Sequence, residues 1–152
     1  MLDHDLVVLN SLIATTIDSA LGFERAAEDA QAGRFQEMFS DFARERRGVV
    51  TALQAAVREL GGVAEDDGSL EADLHRRWVD LRAAITGNGG DKAIIDEVER
   101  GEDYIKEKYE AALADPDLAE GTRGIISIAY ESVRAGHDTA SALKHRMRGA
   151  AE

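Results

Sequence analysis

Apolar residues recur along this chain at spacings of three and four, and alternating β-branched runs are absent. That spacing places side chains on one face of an α-helix, so the whole chain reads as helix. Over 3–32 the inward stripe is Leu6, Leu9, Ile13, Ile17, Ala20, Glu24 and Ala27, with Asp3 as the N-cap candidate and Gly33 placed to stop it. A second stripe, over about 34–60, carries Phe35, Met38, Phe39, Phe42, Val49, Leu53, Ala56 and Leu60. Gly61-Gly62 and the acidic run Glu65-Asp66-Asp67-Gly68 break the pattern, and Ser69 caps a shorter helix through Leu70, Leu74, Trp78, Leu81 and Ile85. The run Thr86 to Gly90 ends it. The next stripe is Ile95, Val98, Glu102, Ile105, Tyr109 and Ala112; after the turn at Asp115-Pro116-Asp117 comes a last one, Thr122, Ile126, Ala129, Val133, Ala140, Leu143 and Met147.

These patterns predict helices near 4–32, 34–61, 69–86, 91–114 and 118–147 in a single domain spanning 1–152. Short turns join the first pair of long helices and the last pair, making two antiparallel hairpins. The connection between the hairpins holds a helix of about 27 Å at 1.5 Å per residue, long enough to run most of the length of a bundle. The second and fourth helices are therefore expected to run parallel. The fold class predicted is an all-α, ferritin-like four-helix bundle with an added crossover helix, since ferritin-like bundles carry one such crossover and plain up-down bundles carry none.

Two residues break the apolar stripes. Glu24 and Glu102 each fall within about 30° of a stripe centre by helical periodicity. A carboxylate in a bundle core is costly unless it is paired, protonated or bound to metal. Arg46 lies about 40° from the centre of the second helix's inner face, and its five-donor fork can serve two carboxylates at once. Three readings stay open: a buried Glu24–Arg46–Glu102 ion-pair cluster, partial metal ligation, and glutamates that reach water at a bundle end.

Val98-Glu99-Arg100-Gly101-Glu102-Asp103 with Tyr109-Glu110, the run His75-Arg76-Arg77-Trp78-Val79-Asp80-Leu81, and Gly22-Phe23-Glu24 with Ala26-Ala27 resemble an uncharacterised bacterial family of ferritin-like four-helix-bundle proteins, a domain of unknown function. The resemblance covers about 5–147. It implies the ferritin-like fold and a metal-binding or stress-associated role without an established activity.

A di-metal carboxylate centre in such a bundle takes one Glu from each of two helices and a Glu-x-x-His pair from each of the other two. Glu24 and Glu102 sit where the lone glutamates belong. Glu45 lies at the edge of the second helix's inner face, but Gly48 stands at its histidine position. On the last helix Glu131 points away from the stripe and Arg134 replaces the histidine, leaving His137 on the flank as a single nitrogen ligand. The candidate metal ligands are thus Glu24, Glu45, Glu102 and His137, and iron or manganese is the cofactor only under this alternative. Too few ligands remain for a tight binuclear centre, so the primary expectation is no cofactor.

Other residues carry plainer readings. Gly22, Gly48, Gly101 and Gly136 lie inside helices and read as packing glycines, with close approach around the buried carboxylates as the functional alternative. Glu71 and His75 read as an exposed i,i+4 pair, and His4 and His145 as solvated. Trp78 anchors the crossover, and Tyr104, Tyr109 and Tyr130 pack in the core or at its rim.

Composition narrows function by exclusion. Lys+Arg 18 against Asp+Glu 30 gives a formal charge of −12, which argues against nucleic-acid and membrane-surface partners. No cysteine is present, excluding thiol chemistry and fitting a reducing compartment. No basic region precedes the first apolar residues, no apolar run is expected to reach a membrane span, and a cytoplasmic location follows. No phosphate loop or nucleophile elbow occurs. The function expected is a non-enzymatic bundle protein, homodimeric, in a stress-related or housekeeping role; the alternative is weak iron or manganese binding, oxidase-like or storage-like.

Overall fold

The computed structural model describes residues 2–29, 33–66, 79, 82–85, 87 and 90–151. Within them lie four long helices, α1 (Leu2–Asp29), α2 (Gly33–Glu59), α3 (Gly90–Leu113) and α4 (Glu120–Ala151), and no strand. The helix α1 begins at Leu2, so Asp3 belongs to its first turn and is not its N-cap. Gly33, expected to stop the first helix, is instead the first residue of α2.

Contacts between helices fix their directions. Leu6, near the start of α1, meets the backbone at Gly62 just past the end of α2, so α1 and α2 are antiparallel. Along α3 and α4, Tyr130 reaches Glu110, His137 reaches Asp103 and Lys144 reaches Glu99, a falling register that makes this pair antiparallel too. Glu45 meets Ser132 while Phe42 meets Gly136, so α2 is antiparallel to α4 as well. It follows that α2 and α3 run parallel, as the sequence predicts, and the path is up, down, down, up.

The end of α2 and the start of α3 therefore lie at opposite ends of the bundle, about 40 Å apart for a 27-residue helix. The connection between them must return the full distance. Its beginning is tied to the bundle by Asn10 Nδ2 donating to Val63 O at 3.1 Å, Glu65 N donating to Asn10 Oδ1 at 2.8 Å and Gln54 Nε2 donating to Glu65 O at 2.9 Å. Its far end packs Ala84 and Ile85 against the core. Residues 79 and 82–85 are helical; the rest of the expected crossover helix, including Glu71, His75 and Trp78, lies outside the described residues.

The stop after α2 is a glycine C-cap. Gly61 takes φ +84°, Gly62 N donates to Val57 O and Gly61 N donates to Arg58 O, both at 3.0 Å. This pairing satisfies carbonyls that the last turn would leave open, and the left-handed residue it needs is one that only glycine adopts without strain.

The core falls into two apolar clusters, one towards each end. The first gathers Leu9, Ile13, Ile17, Leu53, Val57, Ile105, Tyr109, Ile126 and Val133. The second gathers Phe23, Phe35, Phe39, Phe42, Ile95, Val98 and Ala140, with Phe23 ring centroids 5.0 Å from Phe42 and 6.0 Å from Phe39. Contrary to the expectation above, α1 is apolar enough over an 18-residue window to pass for a membrane span by length and composition, but half of that window is buried inside the bundle.

Candidate functional site

Between the two apolar clusters sits a polar layer built on one ion pair. Arg46 of α2 and Glu102 of α3 are each 1% exposed, and Arg46 Nη2 donates to Glu102 Oε2 at 2.5 Å. Phe42, Ala43, Val49 and Val50 are buried on the same helix as Arg46, and Val98 and Ile105 flank Glu102 along theirs, so both side chains extend from the buried face of their helices. Arg46 Nη1 donates to Ser19 Oγ at 3.2 Å, and the guanidinium lies 6.0 Å from the centroid of the Phe23 ring. Arg46 Nε makes no hydrogen bond among the described residues. Gly136 of α4 completes the layer: a Cβ there would stand 2.5 Å from Arg46 Nη2 and 2.9 Å from Glu102 Oε2.

Burial pushes the Glu102 carboxyl above the usual carboxylate range, while the Arg46 charge and hydrogen bond, and more weakly His137, pull it back down. A buried carboxylate held by a guanidinium is neutralised without metal. Arg46 is thus a fixed cation against the Glu102 carboxylate.

Glu24 does not join this layer. It turns outward along the α1–α2 seam and accepts two hydrogen bonds from Arg47, from Nη2 at 2.8 Å and Nε at 3.2 Å, with 42% of its side chain exposed. The expectation of a Glu24–Arg46–Glu102 cluster is corrected to Arg46–Glu102 alone. Asp5, Thr15 and Thr16 are buried in α1, and Phe23 packs inward. Counting these together with the buried Leu12 and Ala26, which the stripe also omits, shifts the centre of the inner face and leaves Glu24 about 70° from it by helical periodicity. From there a glutamate reaches water, and desolvation favours that it does.

The other candidate ligands also lie apart. Glu45 is exposed and accepts a hydrogen bond from Ser132 Oγ at 2.6 Å. His137 Nε2 donates to Asp103 Oδ1 at 2.5 Å and its Nδ1 lies 3.4 Å from Asp138 Oδ1. Arg134 stays outside, 3.5 Å from Glu131, as the stripe predicts. Among the described residues the grouping that brings three such ligand atoms within 4.8 Å of one another is His4, Asp115 and Asp117, not Glu24, Glu45, Glu102 and His137.

Sequence reasoning missed two contacts at the bundle end. His4, expected to be solvated, lies 2.7 Å from Asp115 Oδ2. Asp5 is 3% exposed and accepts from Thr122 Oγ1 at 2.8 Å and from Ala119 N at 3.4 Å, so a side chain of α1 caps α4. Neither pairing has a periodic signature, since each joins polar residues more than a hundred positions apart.

The arrangement defines an all-helical bundle whose central polar layer is an ion pair. A family model described as Domain of unknown function (DUF2383) matches residues 6–115. That is well over half of the chain, and the protein belongs to this family. The matched stretch includes Arg46 and Glu102 but ends before Gly136 and His137. No curated protein matches the chain.

Proposed function

We propose that the protein is a non-enzymatic, ferritin-like helical-bundle protein in which the Arg46–Glu102 pair takes the place of a di-metal centre. The observation that carries this reading is the 2.5 Å contact between two side chains that are each 1% exposed. A guanidinium cannot be deprotonated in a protein, so it remains a competing cation at every working pH. The up-down-down-up path with a single full-length return supports the ferritin-like assignment.

The protein acts through its surface, as a cytoplasmic homodimer in a stress-related or housekeeping role. A shallow apolar groove between α2 and α4 supports self-association. Gly48, Ala52, Ala55, Ile125 and Ala129 line it, and Ile128 beside them is 77% exposed. Apolar surface of this kind is a common mark of an interface.

Elemental analysis of the purified chain after iron and manganese loading tests the reading, with light scattering on the same sample. No two-metal stoichiometry and a dimer that Ile128→Glu weakens are expected. About two iron or manganese atoms per chain, lost in Glu45→Ala and Glu102→Ala, would overturn it in favour of an oxidase-like or storage-like protein.

A further inference from the structure

The start of α1 meets the α3–α4 turn through three side chains with metal-ligating atoms. His4 is in the first turn of α1, and Asp115 and Asp117 flank Pro116. His4 Nε2 lies 2.7 Å from Asp115 Oδ2, and one ligand atom from each of the three residues falls within 4.8 Å of the other two. Around a tetrahedral dication with metal–nitrogen and metal–oxygen distances of about 2.0–2.2 Å, ligand atoms stand roughly 3.3–3.5 Å apart. The His4–Asp115 pair is closer than that and would open on binding, while Asp117 lies inside the 4.8 Å limit. Asp117 is exposed, so its side chain can change rotamer without repacking the core.

Two features prepare the turn for this. Asp115 Oδ1 accepts the Asp117 backbone N–H at 2.9 Å, which orients the carboxylate with its other oxygen towards His4. Arg123 donates to the carbonyl oxygens of Leu113, Asp115 and Leu118, holding the chain on both sides of Pro116. Outer contacts of this kind orient ligands in metal sites. They also occupy the guanidinium with carbonyls, although its charge weakens any cation nearby.

We propose that His4, Asp115 and Asp117 bind one divalent transition-metal ion of the zinc class, tying the start of α1 to the α3–α4 turn. One imidazole with two carboxylates suits a borderline dication, and the solvent side of the cluster leaves room for water as further ligand. The site is distinct from the Arg46–Glu102 layer and does not depend on the function proposed above.

Calorimetric titration of tag-free, chelator-treated full-length chain with zinc chloride, and separately with manganese chloride, tests it. One equivalent of zinc is expected to bind, with affinity at least tenfold lower in His4→Ala and in Asp117→Asn. The second substitution retains the backbone N–H that Asp115 accepts, so it removes a ligand without undoing the turn; circular dichroism confirms that both variants are folded. Glu45→Gln and His137→Ala are expected to bind as the parent does. No saturable zinc binding, or binding that survives both His4→Ala and Asp117→Asn, overturns the proposal, as does binding lost in Glu45→Gln.

Discussion

Gly136 of α4 leaves open the space that Arg46 of α2 fills: a Cβ at residue 136 would lie 2.5 Å from the Arg46 Nη2 that holds Glu102. The tip of an arginine ordinarily moves aside at little cost. Here it is fixed by a fully buried carboxylate, and displacing it lengthens the one bond that neutralises both charges. Gly136→Ala is therefore expected to destabilise by about 1–3 kcal/mol, the usual cost of overpacking a filled site. Gly48 and Gly101 are also helical, but a Cβ at either meets nothing within 4 Å. Their alanine variants are expected to gain about 0.5–1 kcal/mol from helix propensity. Urea denaturation of the three variants checks the opposite signs, and a stabilising Gly136→Ala would show that the ion pair is not held in place.

The ion pair itself is expected to respond asymmetrically to mutation. Arg46→Met strands Glu102 and should cost about 3–5 kcal/mol near neutral pH. Burial already raises the Glu102 pKa, and loss of Arg46 removes the largest opposing influence. A carboxyl whose folded pKa lies above its unfolded value contributes stability below the unfolded pKa and loses it as pH rises through the folded one. The Arg46→Met penalty, measured against the parent at each pH, should therefore shrink on acidification as Glu102 takes a proton. Glu102→Gln removes the titrating carboxyl and leaves a guanidinium that cannot shed its charge. The parent itself gains stability as its raised Glu102 carboxyl takes a proton, so this penalty should grow on acidification where that of Arg46→Met shrinks. Denaturation at about pH 5 and pH 8 separates the two, and equal pH dependence would contradict the account.

The contrast between Glu102 and Glu24 shows how far the sequence could be read. On α3 nearly every inward residue is apolar, so the stripe locates Glu102 correctly. On α1 the inner face includes Asp5, Thr15 and Thr16. A stripe that omits these and the buried Leu12, Phe23 and Ala26 is rotated off the true face, and Glu24 then looks buried when it lies on the seam with Arg47. Arg46 was legible because its own helix is strongly amphipathic. The path of the four helices was legible from loop lengths, whereas the caps and ties at the bundle end were not. Those depend on polar pairs brought together only after the helices have packed.

Thr16 and Tyr109 form such a pair inside the first apolar cluster, with 2.7 Å between their oxygens. Thr16 donates its single hydroxyl proton to Leu12 O at 2.6 Å, so Tyr109 is the donor to Thr16. Burial raises the Tyr109 pKa to about 12. Ultraviolet titration should show one of the three tyrosines ionising only when the fold is lost in alkali. Tyr109→Phe removes one donor and leaves Thr16 with its own donation intact, so a loss of about 1 kcal/mol is expected. A loss above about 3 kcal/mol would mean that the phenol supports more than this contact.

Asp5 offers the sharpest test of the bundle end. Its carboxylate is 3% exposed, accepts Thr122 Oγ1 at 2.8 Å and faces the Ala119 N–H at 3.4 Å, so it serves the N-terminus of α4 from another helix. A negative charge there meets unpaired N–H groups and the positive end of the helix dipole. Asp5→Asn keeps the shape and one acceptor oxygen but removes the charge, and should cost about 0.5–1 kcal/mol. Asp5→Ala removes the acceptor as well and leaves the buried Thr122 hydroxyl without its partner, so the loss should reach about 2 kcal/mol. Hydrogen exchange locates the effect: in Asp5→Ala the amides at the start of α4 should exchange faster, while those of α2 around Arg46 stay protected. Uniform acceleration across both helices would mean that Asp5 acts on global stability alone and does not cap α4.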